Sequence, residues 1–228
     1  MPTPRPPVRR AQFVTIGQTP RVDLVPEMAG WIGSNLEIVE RGALDGMSMS
    51  DVARLRPTDD EQRLVTRLAD GTEAVLPKDW TRGRVQQILD EAAREEFDLT
   101  VLLCTGHLPG LIWQRGHGLF LEAQRIVDHG VAAITEGLHS VGVMVPLERQ
   151  IAEFHLRSRP GQTLRLSHAS PYEPVRLERA AADLEDTDVI VMHCIGYDSG
   201  MRDIVAGCTG KPVLLARRLV AAAISQLI

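Results

Sequence analysis

Two cysteines stand in one repeated frame. Asp98-Leu99-Thr100-Val101-Leu102-Leu103-Cys104-Thr105-Gly106 and Asp188-Val189-Ile190-Val191-Met192-His193-Cys194-Ile195-Gly196 both read D-x-x-V-x-x-C-x-G, at an offset of 90 residues. The segments before them align as well, Val85 with Val175 and Ala92 with Ala182, so the repeated unit is helix, strand, cysteine, glycine. A thiol at the carboxyl end of a parallel strand lies where open α/β sheets bind ligands. If two such units face each other, Cys104 and Cys194 approach one substrate from opposite sides. That arrangement removes a proton from one face of a carbon and returns one to the other. The chemistry is racemisation or epimerisation next to a carboxylate, with no cofactor and no metal.

Taking a proton from such a carbon creates an enediolate, so the site needs a base and also groups that stabilise charge. A free thiol ionises near ~8.5, and a helix N-terminus or a neighbouring cation lowers that value. The expected substrate contacts sit at strand ends: Gln18, Thr19 and Arg21 after the first strand, Thr105 and Gly106 after Cys104, Ser170, and then Ile195, Gly196 and Tyr197 after Cys194. Arg21 is the first choice of cation, because Gly17-Gln18-Thr19-Pro20-Arg21 turns into a helix start, a natural seat for an anion. Tyr172 and Tyr197 are the only tyrosines and each follows a strand-end motif, so either can cover the cleft. Plainer roles stand beside these. A cysteine ending a buried strand is often only a small core residue, Gln18 and Thr19 can cap a helix, and Arg21 can be a solvated charge. Cys104-x-x-His107, with His168 and His193 elsewhere, lacks the second close pair that a zinc site needs. Cys208 has no counterpart in the repeat and reads as structural.

The elements that must carry these residues alternate. A strand over Gln12–Ile16, a helix over Val22–Ile32 and a strand over Leu36–Glu40 lead to a short helix capped by Ser50. Leu64–Leu68 and Thr72–Leu76 flank Asp70-Gly71, a strong hairpin signal. Val85, Ile88, Leu89, Ala92 and Ala93 have the spacing of an amphipathic helix, and strand Leu99–Leu103 follows. A short extended piece from Leu119 precedes a helix to about Gly137. Strand Val141–Val145, a helix from Leu147 to about Leu156, strand Thr163–Ser167, a helix over Val175–Leu184, strand Val189–His193, a helix over Met201–Ala206, strand Val213–Ala216 and a closing helix to Leu227 complete the chain. Such alternation means parallel sheets with helices on their faces.

Ile16 lies 88 residues before Cys104, but Val145 only 49 before Cys194, and the excess falls between Gly42 and Pro77, around the hairpin. The expectation is therefore an α/β fold of two pseudo-symmetric parallel-sheet lobes. Residues 1–10 form a loose tail, 11–118 with 210–228 the first lobe with its hairpin at about 63–76, and 119–209 the second lobe.

The chain has 228 residues, 44% of them apolar, enough to bury a core without staples. A net charge of −5 gives no footprint for nucleic acid, and no apolar run approaches the ~18 residues of a membrane span. Three cysteines with no C-x-x-C pair fit reduced thiols. The expectation is a cytoplasmic protein, with a homodimer as the default assembly.

Taken together, Gly17-Gln18-Thr19-Pro20-Arg21, Gly42-Ala43-Leu44-Asp45-Gly46, Cys104-Thr105-Gly106, Ser170-Pro171-Tyr172, Cys194-Ile195-Gly196-Tyr197 and Gly210-Lys211-Pro212-Val213 resemble the AroM family over nearly the whole chain beyond the tail. More distantly, the two-lobe plan with a cysteine closing a strand in each lobe is similar to the aspartate/glutamate/hydantoin racemase superfamily. This second resemblance implies catalytic roles for Cys104 and Cys194 alone. Where those racemases usually carry Asn-Thr and Thr-His after their cysteines, this chain has Thr105-Gly106 and Ile195-Gly196. The expected function is thus a two-cysteine racemase or epimerase acting on a small carboxylate. Single-cysteine decarboxylation, cis/trans isomerisation, or a binding or sensing protein on the same scaffold stand as alternatives.

Overall fold

In the computed structural model, residues 9–114, 118–154 and 160–228 are described. Most of the expected N-terminal tail and the end of the helix expected to reach Leu156 lie outside them. Strand β1 (Arg9–Thr15), helix α1 (Val25–Ile32) and β2 (Leu36–Gly42) open the chain. Helix α2 (Met49–Ala53) follows and is capped by Ser48, not Ser50, because Asp51 lies three residues after Ser48 and completes a reciprocal capping box. The hairpin is β3 (Arg63–Arg67) with β4 (Glu73–Pro77), and α3 (Lys78–Ala92) leads to β5 (Leu99–Leu102). Then come β6 (Leu119–Glu122), α4 (Ala123–Ile134), β7 (Ser140–Val145), α5 (Glu148–Glu153) and β8 (Thr163–His168). A 3-10 turn precedes α6 (Leu177–Ala182), and β9 (Val189–Met192), α7 (Ser199–Thr209), β10 (Val213–Leu215) and α8 (Ala216–Ser225) close the fold.

Two parallel four-stranded sheets have matching orders, β2-β1-β5-β6 and β8-β7-β9-β10, and the antiparallel hairpin forms a third, two-stranded sheet. The expected lobes are corrected at both boundaries. Strand β6 completes the first sheet and β10 the second, although α8 packs against α1 and α4 from the first half. The repeat explains this, since each cysteine is followed in its own half by one more strand and helix, β6-α4 or β10-α8.

The main core lies between the sheets. Phe13 and Val101 on one sheet and Val143 and Val191 on the other meet Met28, Val127 and Val220 from the helices. A second core sits under α6 and α7, and a third under α3. Both faces of the central strands are therefore buried, which is why β9 reads as a continuous apolar run and β5 as one broken only by Thr100. The aspartates that begin the repeat do the same work twice. The Asp98 carboxylate accepts the Arg10 amide at 2.8 Å, and that of Asp188 accepts the amides of His139 at 2.9 Å and Ser140 at 2.8 Å. Each ties the start of its strand to the neighbouring β1 or β7. Among the described residues, no helix is long and apolar enough to cross a membrane.

Candidate active site

Cys104 and Cys194 stand two residues beyond the last residues of β5 and β9, on buried backbone, at 5% and 7% exposure. Both line one cavity of about 780 Å3, whose wall also includes the strand-end residues Ile16, Leu103, Val145 and His193. The cavity thus lies beyond the carboxyl ends of the central strands of both sheets. Burial, with a smaller contribution from the nearby Cys194, pushes the Cys104 thiol up to about 12, although the Gly106 backbone works the other way. Cys194 is pushed up by burial to about 11, while the Gly196 amide and the charges of Arg21 and Arg217 pull it down. Both groups are neutral thiols at neutral pH.

Arg21 is 2% exposed and faces this cavity. Its guanidinium donates to Asp23 at 2.9 and 2.8 Å, to Thr15 Oγ1 at 3.0 Å and to Tyr172 Oη at 3.2 Å. Burial, the largest single effect, works against its charge, but the bonds and charge of Asp23 and the contact with Tyr172 together outweigh it and raise the pKa above the ordinary arginine value. Asp23 itself is held below the usual carboxylate range: its desolvation is the largest single effect, but the bonds and charge of Arg21, its own backbone amide and the charge of Arg67 together outweigh it. Arg67, on the hairpin, approaches Asp23 at 3.7 Å, so it buttresses this pair. Burial, followed by the nearby Cys194, raises the Tyr172 phenol, which remains a hydrogen-bond donor.

The structure brings six of the expected site residues to the cavity: Cys104, Cys194, Arg21, Thr105, Gly106 and Ile195. Five others are occupied elsewhere. The Gln18 amide donates to the Met47 carbonyl at 3.0 Å and accepts from Ala69 at 2.9 Å, bracing the hairpin. Thr19 gives both its amide and its hydroxyl to Asp45, each at 2.8 Å. Ser170 donates to Glu73 on the hairpin and accepts the Tyr172 amide, joining the hairpin to the second half. The Gly196 amide points at the Cys194 sulfur, 3.4 Å away. Tyr197 is fully buried and donates to the Ala169 carbonyl at 2.6 Å. Of the two tyrosines it is Tyr172 that lines the cavity.

Other residues at the cavity were not expected to bind substrate. Gln62 and the β3 residues Arg63 to Thr66, with Lys78, form part of its wall. His193 lies 2.7 Å from Asp128 of α4 through Nε2 and meets Phe154 edge-on, with ring centres 4.8 Å apart. A carboxylate only accepts, so Nε2 is the donor in this bond. Among the described residues, no three His, Cys, Asp or Glu side chains converge as a metal would require. The hairpin packs closely on the strand ends: a Cβ on Gly17 would lie 2.5 Å from the Arg67 carbonyl and nearer still to Thr66 Oγ1. Gly17→Ala is therefore expected to destabilise the protein by about 1 to 3 kcal/mol, read as a lower urea midpoint. An unchanged midpoint would show that the hairpin yields freely.

The paired sheets with a cysteine closing a strand in each are the fold of the aspartate racemase type, and solved structures of that type superpose along nearly the whole chain. Nocardia farcinica maleate cis-trans isomerase bound to TRIS matches with a TM-score of 0.60 at 16% identity, covering 96% of this chain and 92% of that one. Picrophilus torridus aspartate racemase matches with a TM-score of 0.56 at 8% identity, covering 96% and 94%. An unliganded arylmalonate decarboxylase matches with a TM-score of 0.52 at 13% identity, covering 95% and 92%. The AroM protein family model matches residues 12–228, and the chain belongs to the AroM family. No curated protein matches by sequence.

Proposed function

We propose that this protein is a cofactor-independent isomerase of the racemase or epimerase type, acting on the carbon next to the carboxylate of a small substrate. The observation that carries this reading is that Cys104 and Cys194 stand two residues beyond equivalent strands of two matching sheets and line one cavity together with the buried cation Arg21. One sulfur, as thiolate, takes the α-proton and becomes a thiol. The electron pair of the broken C–H bond moves into the carboxylate as an enediolate, and the second thiol delivers its own proton to the opposite face. Arg21 and the turn at Thr105-Gly106 are the groups at hand to hold the developing negative charge. The three reaction types named for the matching structures, racemisation, cis/trans isomerisation and decarboxylation, are compatible with a cysteine at this position in the fold.

A second reading rests on the raised pKa values. Thiols that stay protonated suit a reaction in which one sulfur only delivers a proton, as decarboxylation requires. One experiment separates these readings from a binding or sensing role. The protein is incubated in deuterated water with small amino, hydroxy and dicarboxylic acids and with arylmalonates, and the α-carbon is followed by NMR. Deuterium incorporation into the recovered, uncleaved acid that disappears in a Cys104→Ala/Cys194→Ala double variant supports the isomerase. Loss of CO2 without exchange moves the assignment to decarboxylation, and saturable binding with neither moves it to sensing.

A further inference from the structure

Arg217, in the first turn of α8, is fully buried and takes no part in the chemistry above. A buried guanidinium is tolerated only when its donors are met. Here Nε donates to the Ile195 carbonyl at 3.0 Å and one terminal nitrogen to the Gly196 carbonyl at 2.7 Å. The other reaches the Asp23 carbonyl at 3.0 Å and the Glu27 carboxylate at 2.5 Å. Two of the four acceptors are the residues that directly follow Cys194. Holding both carbonyls fixes the turn in which the Gly196 amide sits 3.4 Å from the sulfur.

The corresponding place in the first half is different. Counting from Ala123 and Ala216, the buried first residues of α4 and α8, the counterpart of Arg217 is Gln124, whose amide goes to Asp128. The turn after Cys104 has no such cationic clamp: the thiol lies 3.9 Å from the Gly106 carbonyl oxygen, and the Gly106 backbone lowers its pKa as the Gly196 amide does for Cys194, so the two turns differ in the buried cation that holds one of them. A buried cation beside a sulfur favours its thiolate, and Arg217 acts on Cys194, while the cations acting on Cys104 are Lys78 and Arg21.

We propose that Arg217 is a positioning residue that makes the two sulfurs unequal, holding the Cys194 turn so that Cys194 is the sulfur that ionises and Cys104 the one that keeps and donates a proton. This rests on the isomerase reading for its use in catalysis, but its test needs no substrate. Single-thiol proteins are made in a Cys208→Ser background, one keeping Cys194 and the other Cys104. Alkylation by iodoacetamide is then followed by mass spectrometry from pH 7 to 11.

Cys194 is expected to react faster than Cys104 at every pH below 10. Arg217→Met is expected to slow Cys194 about tenfold at pH 8, the effect of one unit of pKa on thiolate fraction, and to leave Cys104 unchanged, with Arg217→Lys recovering part of the loss. If Arg217→Met does not fold, Glu27→Gln removes the facing carboxylate and is expected to shift the Cys194 profile to lower pH. Equal profiles for the two thiols, equal slowing of both by Arg217→Met, or no downward shift in Glu27→Gln would overturn the proposal. Such a result would leave the exchange assay free to succeed, and an exchange assay that fails would leave the alkylation order standing.

Discussion

Cys194→Ser and Cys104→Ser are each expected to slow inversion of a turned-over acid by about 10² to 10⁴, the contribution of one positioned proton-transfer group. Serine fills nearly the same space, but its hydroxyl ionises far above any working pH, so the substrate still binds while proton transfer fails. The two variants should fail differently. With Cys104 replaced, Cys194 still removes the proton and solvent deuterium returns on the same face, so exchange continues while inversion stops. With Cys194 replaced, the remaining thiol is the more strongly protonated one, and both exchange and inversion should disappear. The measurement is a paired one, isotope uptake by NMR against change of optical rotation. Inversion within tenfold of the unsubstituted protein in either variant would remove that cysteine from the mechanism.

The second large effect is on pH. With Cys194 pushed up to about 11 and Cys104 to about 12, the resting protein at neutral pH holds only a small thiolate fraction. Because kcat/KM reports ionisation of the free enzyme, it should rise about tenfold per pH unit between 7 and 10, roughly 10³ in all. A profile level from pH 7 to 9 would contradict a buried thiol as the base. Stability moves the other way. An unfolded thiol ionises near ~8.5, and these two ionise higher in the folded state, so the folded protein binds the extra protons. Their contribution to stability is complete below that value and is lost as pH rises toward about 11 and about 12. Urea midpoints should fall above pH 9, and fall less steeply in the Cys104→Ala/Cys194→Ala variant.

The sulfurs were legible in the sequence because a short string with an aspartate, a valine, a cysteine and a glycine in register occurs twice, each time after a helix. The hairpin was legible from Asp70-Gly71, and the third sheet was expected as an insertion for the same reason. The internal partners of Gln18, Thr19 and Ser170 were not legible because they belong to the enlarged segment: Asp45, Met47, Ala69 and Glu73 bond to these three side chains or their backbone. Periodicity does not tell which loop will fold back over which strand end. Tyr172 and Tyr197 looked alike for the same reason, and only three-dimensional packing separates the one at the cavity from the one bonded to Ala169. His193 with Asp128, and Arg217 with the turn after Cys194, join positions 65 and 22 or fewer residues apart across different elements, and no local pattern marks either pair. The assignment of β6 and β10 to sheets was missed because each is only a few residues long at a boundary between halves.

The carboxylates of Asp98 and Asp188 act as a shared ruler. Each lies six residues before its cysteine, and at about 3.3 Å per residue that is roughly 20 Å from the foot of the sheet to its thiol. Both sulfurs are therefore levelled from the far edge by the same fastening, so the height at which they confront each other is decided well away from the ligand. A slip of one residue there would lift a sulfur by about 3 Å and turn it to the wrong side of its ribbon.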